Sequence, residues 1–230
     1  MSDKIYPVPK ISNLVPLMSE EKYSELYKLS LDDPNKFWGE EALSRLNWIK
    51  PFDDVLSTNM EEAEFEWFSN GKLNACFNCV DRHLENNGNK IAFIWESDDG
   101  STSKKITYQE LYEEVCRFSN LLKSRGIKKG DRVCIYMPMI LEAIYSMLAC
   151  ARIGAVHSVV FGGFSVESLK DRILDSDCQA IITANEGLRG GKKIPLKSNV
   201  DSAVDQCPHV HTVIVVKNTD TPIDLNSEID

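Results

Sequence analysis

From Lys90 onward the chain repeats one alternation, a short β-branched or aromatic run followed by an amphipathic stretch, and few architectures satisfy it. IAFIWES reads as a strand, and DDGST as a hairpin turn into KKITY. Thr107 and Glu110 form a capping box that opens a helix with Leu111, Val115, Phe118, Leu121 and Leu122 inward, ended by Gly126. Asp131 leads into VCIYM, an apolar run suited to a buried parallel strand, which Pro138 stops. The apolar helix ILEAIYSMLACARI closes at Gly154, and the strand AVHSVVF follows. Ser165 caps the helix VESLKDRILD; QAIIT is the next strand and HTVIVVK the last, after a less regular segment from Glu186 to His209. Strands alternating with helices predict an α/β fold, a mostly parallel sheet with helices on both faces. The helix and strand from Leu141 to Phe161, with Ala149 and Val159, are expected at the centre of its core.

Residues 1–88 have a different texture, aromatic and acidic, and predict a helical wrapping layer ahead of the α/β part at 89–230. Ser19 caps one helix, with Glu20 and Glu21 in its first turn and Tyr23, Leu26 and Tyr27 on one face. Asp33-Pro34 starts a second, with Pro34 at the first helical position ahead of Phe37, Trp38, Ala42 and Leu46. An aromatic strand or turn comes next, then a helix ending near Gly88. At the other end TDTPIDLNSEID is polar and turn-like, with no closing helix after the last strand, so the fold is expected to continue in a larger protein.

A formal net charge of -9 repels nucleic acid and anionic membrane surfaces, so a polyanionic ligand needs a local basic site. No basic segment precedes an apolar run at the start, and no apolar stretch is long enough to span a bilayer. Seven cysteines, an odd number, lie mostly within apolar segments such as those of Cys134, Cys150 and Cys178, which points to reduced thiols and a cytoplasmic setting. Cys76 and Cys79 form a CxxC pair, but no second pair exists and His83 is the sole ligand-type residue nearby, so a helical core position is preferred to zinc or redox use.

Ligands of open parallel sheets bind beyond the carboxyl ends of the strands, and two glycine-containing loops fall there. The first, Phe161-Gly162-Gly163-Phe164-Ser165, joins a strand to a helix N-terminus that favours an anion; its plainer reading is a tight turn needing positive φ. The second runs from Asn185 through Arg189, Gly190, Gly191, Lys192 and Lys193, where three cations around a Gly-Gly pair suit a phosphate; its plainer reading is a solvated basic loop. If QAIIT lies beside AVHSVVF, both loops face one site. Neither is a GxxxxGK[ST] loop, and the absence of GxGxxG disfavours a dinucleotide dehydrogenase. His157, inside an apolar strand, reads as a satisfied core histidine, and His83, His209 and His211 have no spaced carboxylate or thiol partner. No catalytic or metal-ligating set emerges from the residues alone.

Three stretches resemble a known family. MPMILEAIYSMLACARIGAVHSVVFGGFSVESLKDRI and LNACFNCVDRHL are similar to segments of the AMP-forming acyl-CoA synthetases of the adenylate-forming superfamily, and NEGLRGGKKIPLKSNVD resembles a segment of its acetyl-CoA synthetases. The likeness runs in order from about Tyr23 to Val216. It implies that carboxylate and ATP·Mg2+ give an acyl-adenylate and pyrophosphate, and that CoA thiol attack then gives acyl-CoA and AMP. It implies small-molecule substrates, acetate, ATP and CoA, with Arg189, Gly190, Gly191 and Lys192 on the CoA nucleotide phosphates and Phe161, Gly162 and Gly163 lining the same site. Where the family often has Arg, Lys192 lacks a bidentate fork. In the family the ATP, metal and acyl-pocket residues lie downstream, so this chain by itself is expected to be inactive. A propionyl-CoA synthetase and a non-catalytic nucleotide-binding module are the competing readings.

Overall fold

The computed structural model describes residues 17–225 and 229–230. The stretch 1–16, on which the expectation of no signal peptide rests, and residues 226–228 lie outside them. Among the described residues no helix is long and apolar enough to cross a membrane. Two compact units divide after Lys72.

The first unit opens with α1 (Glu20–Asp32) and α2 (Pro34–Arg45). Ser19 Oγ accepts from the Lys22 amide and Asp33 Oδ1 from the Lys36 amide, so each helix begins where its cap residue dictates. Tyr23 and Tyr27 stack at 6.0 Å on α1, which buries no residue. A short antiparallel hairpin follows, β1 (Leu56–Asn59) and β2 (Glu64–Trp67), beside a cluster of Trp48, Phe52 and Phe68 with ring centroids 4.9 to 5.7 Å apart.

The second unit begins with α3 (Ala75–Cys79), a 3-10 turn at Asp81–His83 and α4 (Leu84–Asn87). These helices thus fall in the second unit, ahead of the division at 88 read from sequence texture. Cys76 is buried in the core, whereas Cys79, three residues on, faces solvent. Asp81 and Arg152 form a bidentate pair at 3.0 and 2.6 Å, with the guanidinium 5.1 Å from the Tyr112 ring. That pair joins the DRH segment to the ARIG segment, and it packs polar groups of both inside the same unit.

Next come the hairpin β3 (Ile91–Glu96) and β4 (Ser103–Thr107), then α5 (Tyr108–Ser124), whose Thr107–Glu110 capping box is complete. The strands β5 (Arg132–Met137), β6 (Val156–Phe161), β7 (Ala180–Ala184) and β10 (Thr212–Val216) form one parallel sheet in the order β10-β7-β5-β6. Between them lie α6 (Leu141–Ile153), α7 (Val166–Asp175), the small hairpin β8 (Gly187–Arg189) and β9 (Lys192–Ile194), and α8 (Leu196–Val204). Val133, Ile135 and Ile182 pack with α5 and α6 on one face; Cys134, Tyr136 and Ile181 pack with α7 and α8 on the other. This is the expected sheet with helices on both faces.

Four points differ from the sequence reading. QAIIT (β7) does not neighbour AVHSVVF (β6), because β5 lies between them. The centre of the core is β5 with β7 and α6, not the segment up to Phe161: Ala149 is fully buried, but Val159 is 55% exposed. The reason is that β6 is an edge strand among the described residues, paired with β5 alone. His157 on the same strand is exposed, so it is no core histidine. Finally, the segment from Glu186 is regular, since Leu196, Val200 and Ala203 of α8 turn one apolar stripe inward.

Candidate functional site

The chain leaves β5 through α6 on one face of the sheet, whereas α7 and α8 follow β6 and β7 on the other. That change of side makes the carboxyl end of β5 a topological switch point, the place where open sheets hold their ligands. Both glycine-containing loops stand there.

The first loop is tethered from beneath. Tyr136, fully buried at the end of β5, donates its hydroxyl to the Phe164 carbonyl at 2.9 Å and accepts from Asn199 Nδ2 at 3.2 Å. Burial raises the Tyr136 phenol, so it remains a neutral donor. Ser165 then caps α7, accepting from the Ser168 amide at 3.3 Å. Neither Gly162 nor Gly163 has a φ in the left-handed region, so the reading of a turn that demands positive φ is set aside. The glycines are needed for clearance. A Cβ on Gly162 would stand 3.2 Å from the Met137 carbonyl oxygen and 3.4 Å from Leu196 Cδ2. On Gly163 it would stand 2.5 Å from Phe161 Cε1 and 3.0 Å from Arg189 Nη1.

The second loop is the β8–β9 hairpin. Arg189 and Lys192 are cross-strand partners, and Gly190 and Gly191 between them have φ of 55° and 73°. Two successive positive φ values fit a type I′ turn, which right-handed strand twist favours and which asks for glycine. Positive φ, the plainer reading of the first loop, is found in the second. Below the hairpin, Glu186 Oε2 accepts from the Thr219 and Thr221 hydroxyls at 2.7 and 2.8 Å and pairs with Lys193 at 3.1 Å. Those hydroxyl bonds, with Lys193, hold the Glu186 carboxyl below its usual range. Buried Asn185 donates to the carbonyls of Thr219 and Thr221 and accepts from the amides of Asn218 and Thr219, anchoring the hairpin to the loop after β10.

Of the three loop cations, Lys193 is therefore neutralised internally. Arg189 lies with its guanidinium 5.0 Å from the Phe161 ring, and the exposed Lys192 ammonium has no ion-pair partner among the described residues. So the two loops do meet, in spite of β5 between their strands, because the hairpin reaches across the end of β5. Two like charges held opposite on one face of a hairpin repel each other. An anion between them would relieve that repulsion and gain charge-assisted hydrogen bonds. The arrangement brings together Phe161, Gly162, Gly163, Arg189, Gly190, Gly191 and Lys192 as one exposed basic surface with an aromatic floor. Sequence reading gives no supporting role to Tyr136, Asn185, Glu186 or Asp98, the last accepting from the Gly190 amide at 2.8 Å. Only long-range packing reveals them. Among the described residues no group of three His, Cys, Asp or Glu side chains gathers to hold a metal ion.

Comparison with known proteins shows which family the chain resembles along its length. The profile of the family "AMP-binding enzyme" matches residues 80–229, and that of "Acetyl-coenzyme A synthetase N-terminus" matches residues 23–79. The chain is 55% identical over 226 residues to the acetyl-coenzyme A synthetase of Saccharophagus degradans, covering 98% of this chain and 35% of that protein. It is 55% identical over 215 residues to acetyl-coenzyme A synthetase 2 of Pseudomonas aeruginosa, covering 94% of this chain and 33% of that protein. The chain thus spans about a third of the length of the curated relatives it matches. The solved structure of the acetoacetyl-CoA synthetase from Streptomyces lividans superposes with a TM-score of 0.79 over 90% of this chain and 32% of that one, at 24% identity, a likeness of fold.

Proposed function

The chain belongs to the AMP-binding enzyme family, and from that membership we propose that the protein containing it is an acetate–CoA ligase. The observation that carries the reading is 55% identity to an acetyl-coenzyme A synthetase along 98% of the chain. In the proposed reaction an acetate oxygen attacks the α-phosphorus of ATP, which enters with Mg2+, and pyrophosphate leaves. The CoA thiol then attacks the acetyl carbonyl of the acetyl-adenylate, giving acetyl-CoA and AMP. The substrates are small molecules, and neither nucleic acid nor a membrane has a part in the reaction; the proposed location is the cytoplasm. Residues 1–88 are assigned to the N-terminal region of such enzymes and 89–230 to the first part of the adenylate-forming domain.

Within this chain the proposed role is to hold the nucleotide end of CoA. Arg189 offers a planar fork to a phosphate, Lys192 a point charge, and Phe161 a ring that keeps the Arg189 guanidinium in place. Gly162 and Gly163 keep the first loop low enough for the ligand to approach the backbone. A charge-assisted hydrogen bond of this kind contributes about 1.5–3 kcal/mol. The test is acetate-dependent exchange of pyrophosphate into ATP by the full-length protein, followed by CoA-dependent release of AMP. Both are expected with acetate, and exchange that does not respond to acetate contradicts the proposal.

A further inference from the structure

The apex of the β8–β9 hairpin already carries an anionic contact. The Gly190 amide donates at 2.8 Å to Asp98 Oδ2, from a turn 92 residues earlier in the chain. Asp98 has no role in building its own turn. Its neighbour Asp99 does that, accepting from the Ser97 hydroxyl, the Ser101 amide and the Ser101 hydroxyl at 2.6, 3.0 and 2.8 Å. Those bonds hold the Asp99 carboxyl down at about 2. The neighbouring carboxylate is left to reach outward, and no cation pairs with it among the described residues: neither Arg189 nor Lys192 comes within ion-pair distance. Asp98 is exposed, as are the two cations that flank Gly190 and Gly191.

We infer that Asp98 is a specificity-determining residue of this site, its carboxylate competing with the ligand phosphate for the Gly190 amide and for the field of Arg189 and Lys192. The inference rests on the reading of the two loops as the CoA nucleotide site. A backbone amide flanked by two cations is a general anion trap and would take inorganic phosphate or pyrophosphate as readily as a nucleotide. A fixed negative charge at the apex raises the threshold for all of them. A ligand that also gains stacking or further contacts along the loops can still displace the carboxylate, whereas a bare phosphate cannot.

The alternative is that Asp98 only positions the hairpin, and two substitutions separate the cases. Asp98→Asn keeps an oxygen to accept from Gly190 but removes the charge; Asp98→Ala removes both. In the full-length enzyme both variants are expected to lower the KM for CoA about two- to fivefold, the scale of one exposed charge interaction. Both are also expected to lower the inhibition constant of inorganic phosphate against CoA by a larger factor, since specificity is the ratio of the two affinities, and equal factors would overturn the inference. Acetate-dependent pyrophosphate exchange without CoA should be unchanged, which also reports that the variants are folded. A raised KM in Asp98→Ala with a normal one in Asp98→Asn would mean positioning and overturn the inference, as would no change in either. Arg189→Ala, assayed beside them, tells the two failures apart. If it raises the KM for CoA while the Asp98 variants are silent, the inference alone falls; if it too is silent, the site reading falls and takes the inference with it.

Discussion

The guanidinium of Arg189 lies 5.0 Å from the ring of Phe161, although the strands that lead to these residues, β7 and β6, are separated in the sheet by β5. The contact exists because a three-residue strand pair turns back over the end of β5. It joins a strand-to-helix loop of the kind that binds anions with a hairpin that carries the charge.

Gly163 sets the clearance for that contact. In Gly163→Ala the new methyl would stand 2.5 Å from Phe161 Cε1, and the Phe161 ring, 54% exposed, can swing away. Losing a cation–π contact at an exposed site should raise the KM for CoA about two- to fivefold, with the thermal midpoint nearly unchanged. A KM equal to that of the parent enzyme would show that the stack does not serve the ligand.

Tyr136 links β5, the first loop and α8 through a single hydroxyl. Tyr136→Phe leaves the Phe164 carbonyl and Asn199 Nδ2 without that partner inside the fold. Urea denaturation should report a loss of about 1–3 kcal/mol, the usual cost of orphaning a buried polar group. Unchanged stability would mean that the loop is held by other contacts.

The CxxC pair gives a chemical test. Burial pushes the Cys76 thiol up to about 11, so at neutral pH it stays protonated and unreactive. Cys79 is exposed. In the folded chain a maleimide at pH 7 should label Cys79 quickly and Cys76 only after denaturation. Equal labelling rates would revive the reading of the pair as a metal or redox site.

What could be read from sequence follows from the range of each interaction. The Thr107–Glu110 box, the Ser165 cap and the Asp33-Pro34 start are settled within four residues, and each helix begins where its cap stands. The strands of the parallel sheet were equally plain as apolar runs. Their order was not, because the placement of β5 between β6 and β7 depends on which face each connecting helix covers. Val159 reads as core for a related reason: an apolar strand looks the same at an edge as at the centre. The helix α8 was within reach, since Leu196, Val200 and Ala203 have helical spacing, but polar residues interleave them closely enough to hide the stripe. At the candidate site the residue types were legible in Arg189, Lys192 and the glycines, while their supports were not. Asp98 and Gly190 meet across 92 residues, and nothing local marks either for the other.

The central claim, that the hairpin serves CoA in an enzyme that first makes acetyl-adenylate, is tested most directly by Arg189→Ala in the full-length protein. Two rates are measured on the same preparation: acetate-dependent pyrophosphate exchange without CoA, and acetyl-CoA formation as CoA is varied. Removing a charge-assisted partner of a phosphate should raise the KM for CoA roughly ten- to hundredfold, while exchange stays near that of the parent. Lys192→Ala should act in the same direction but more weakly, and with a CoA lacking its 3′-phosphate the penalty should shrink if that group is the partner. Equal loss of both rates, or a KM for CoA that does not move, would contradict the account.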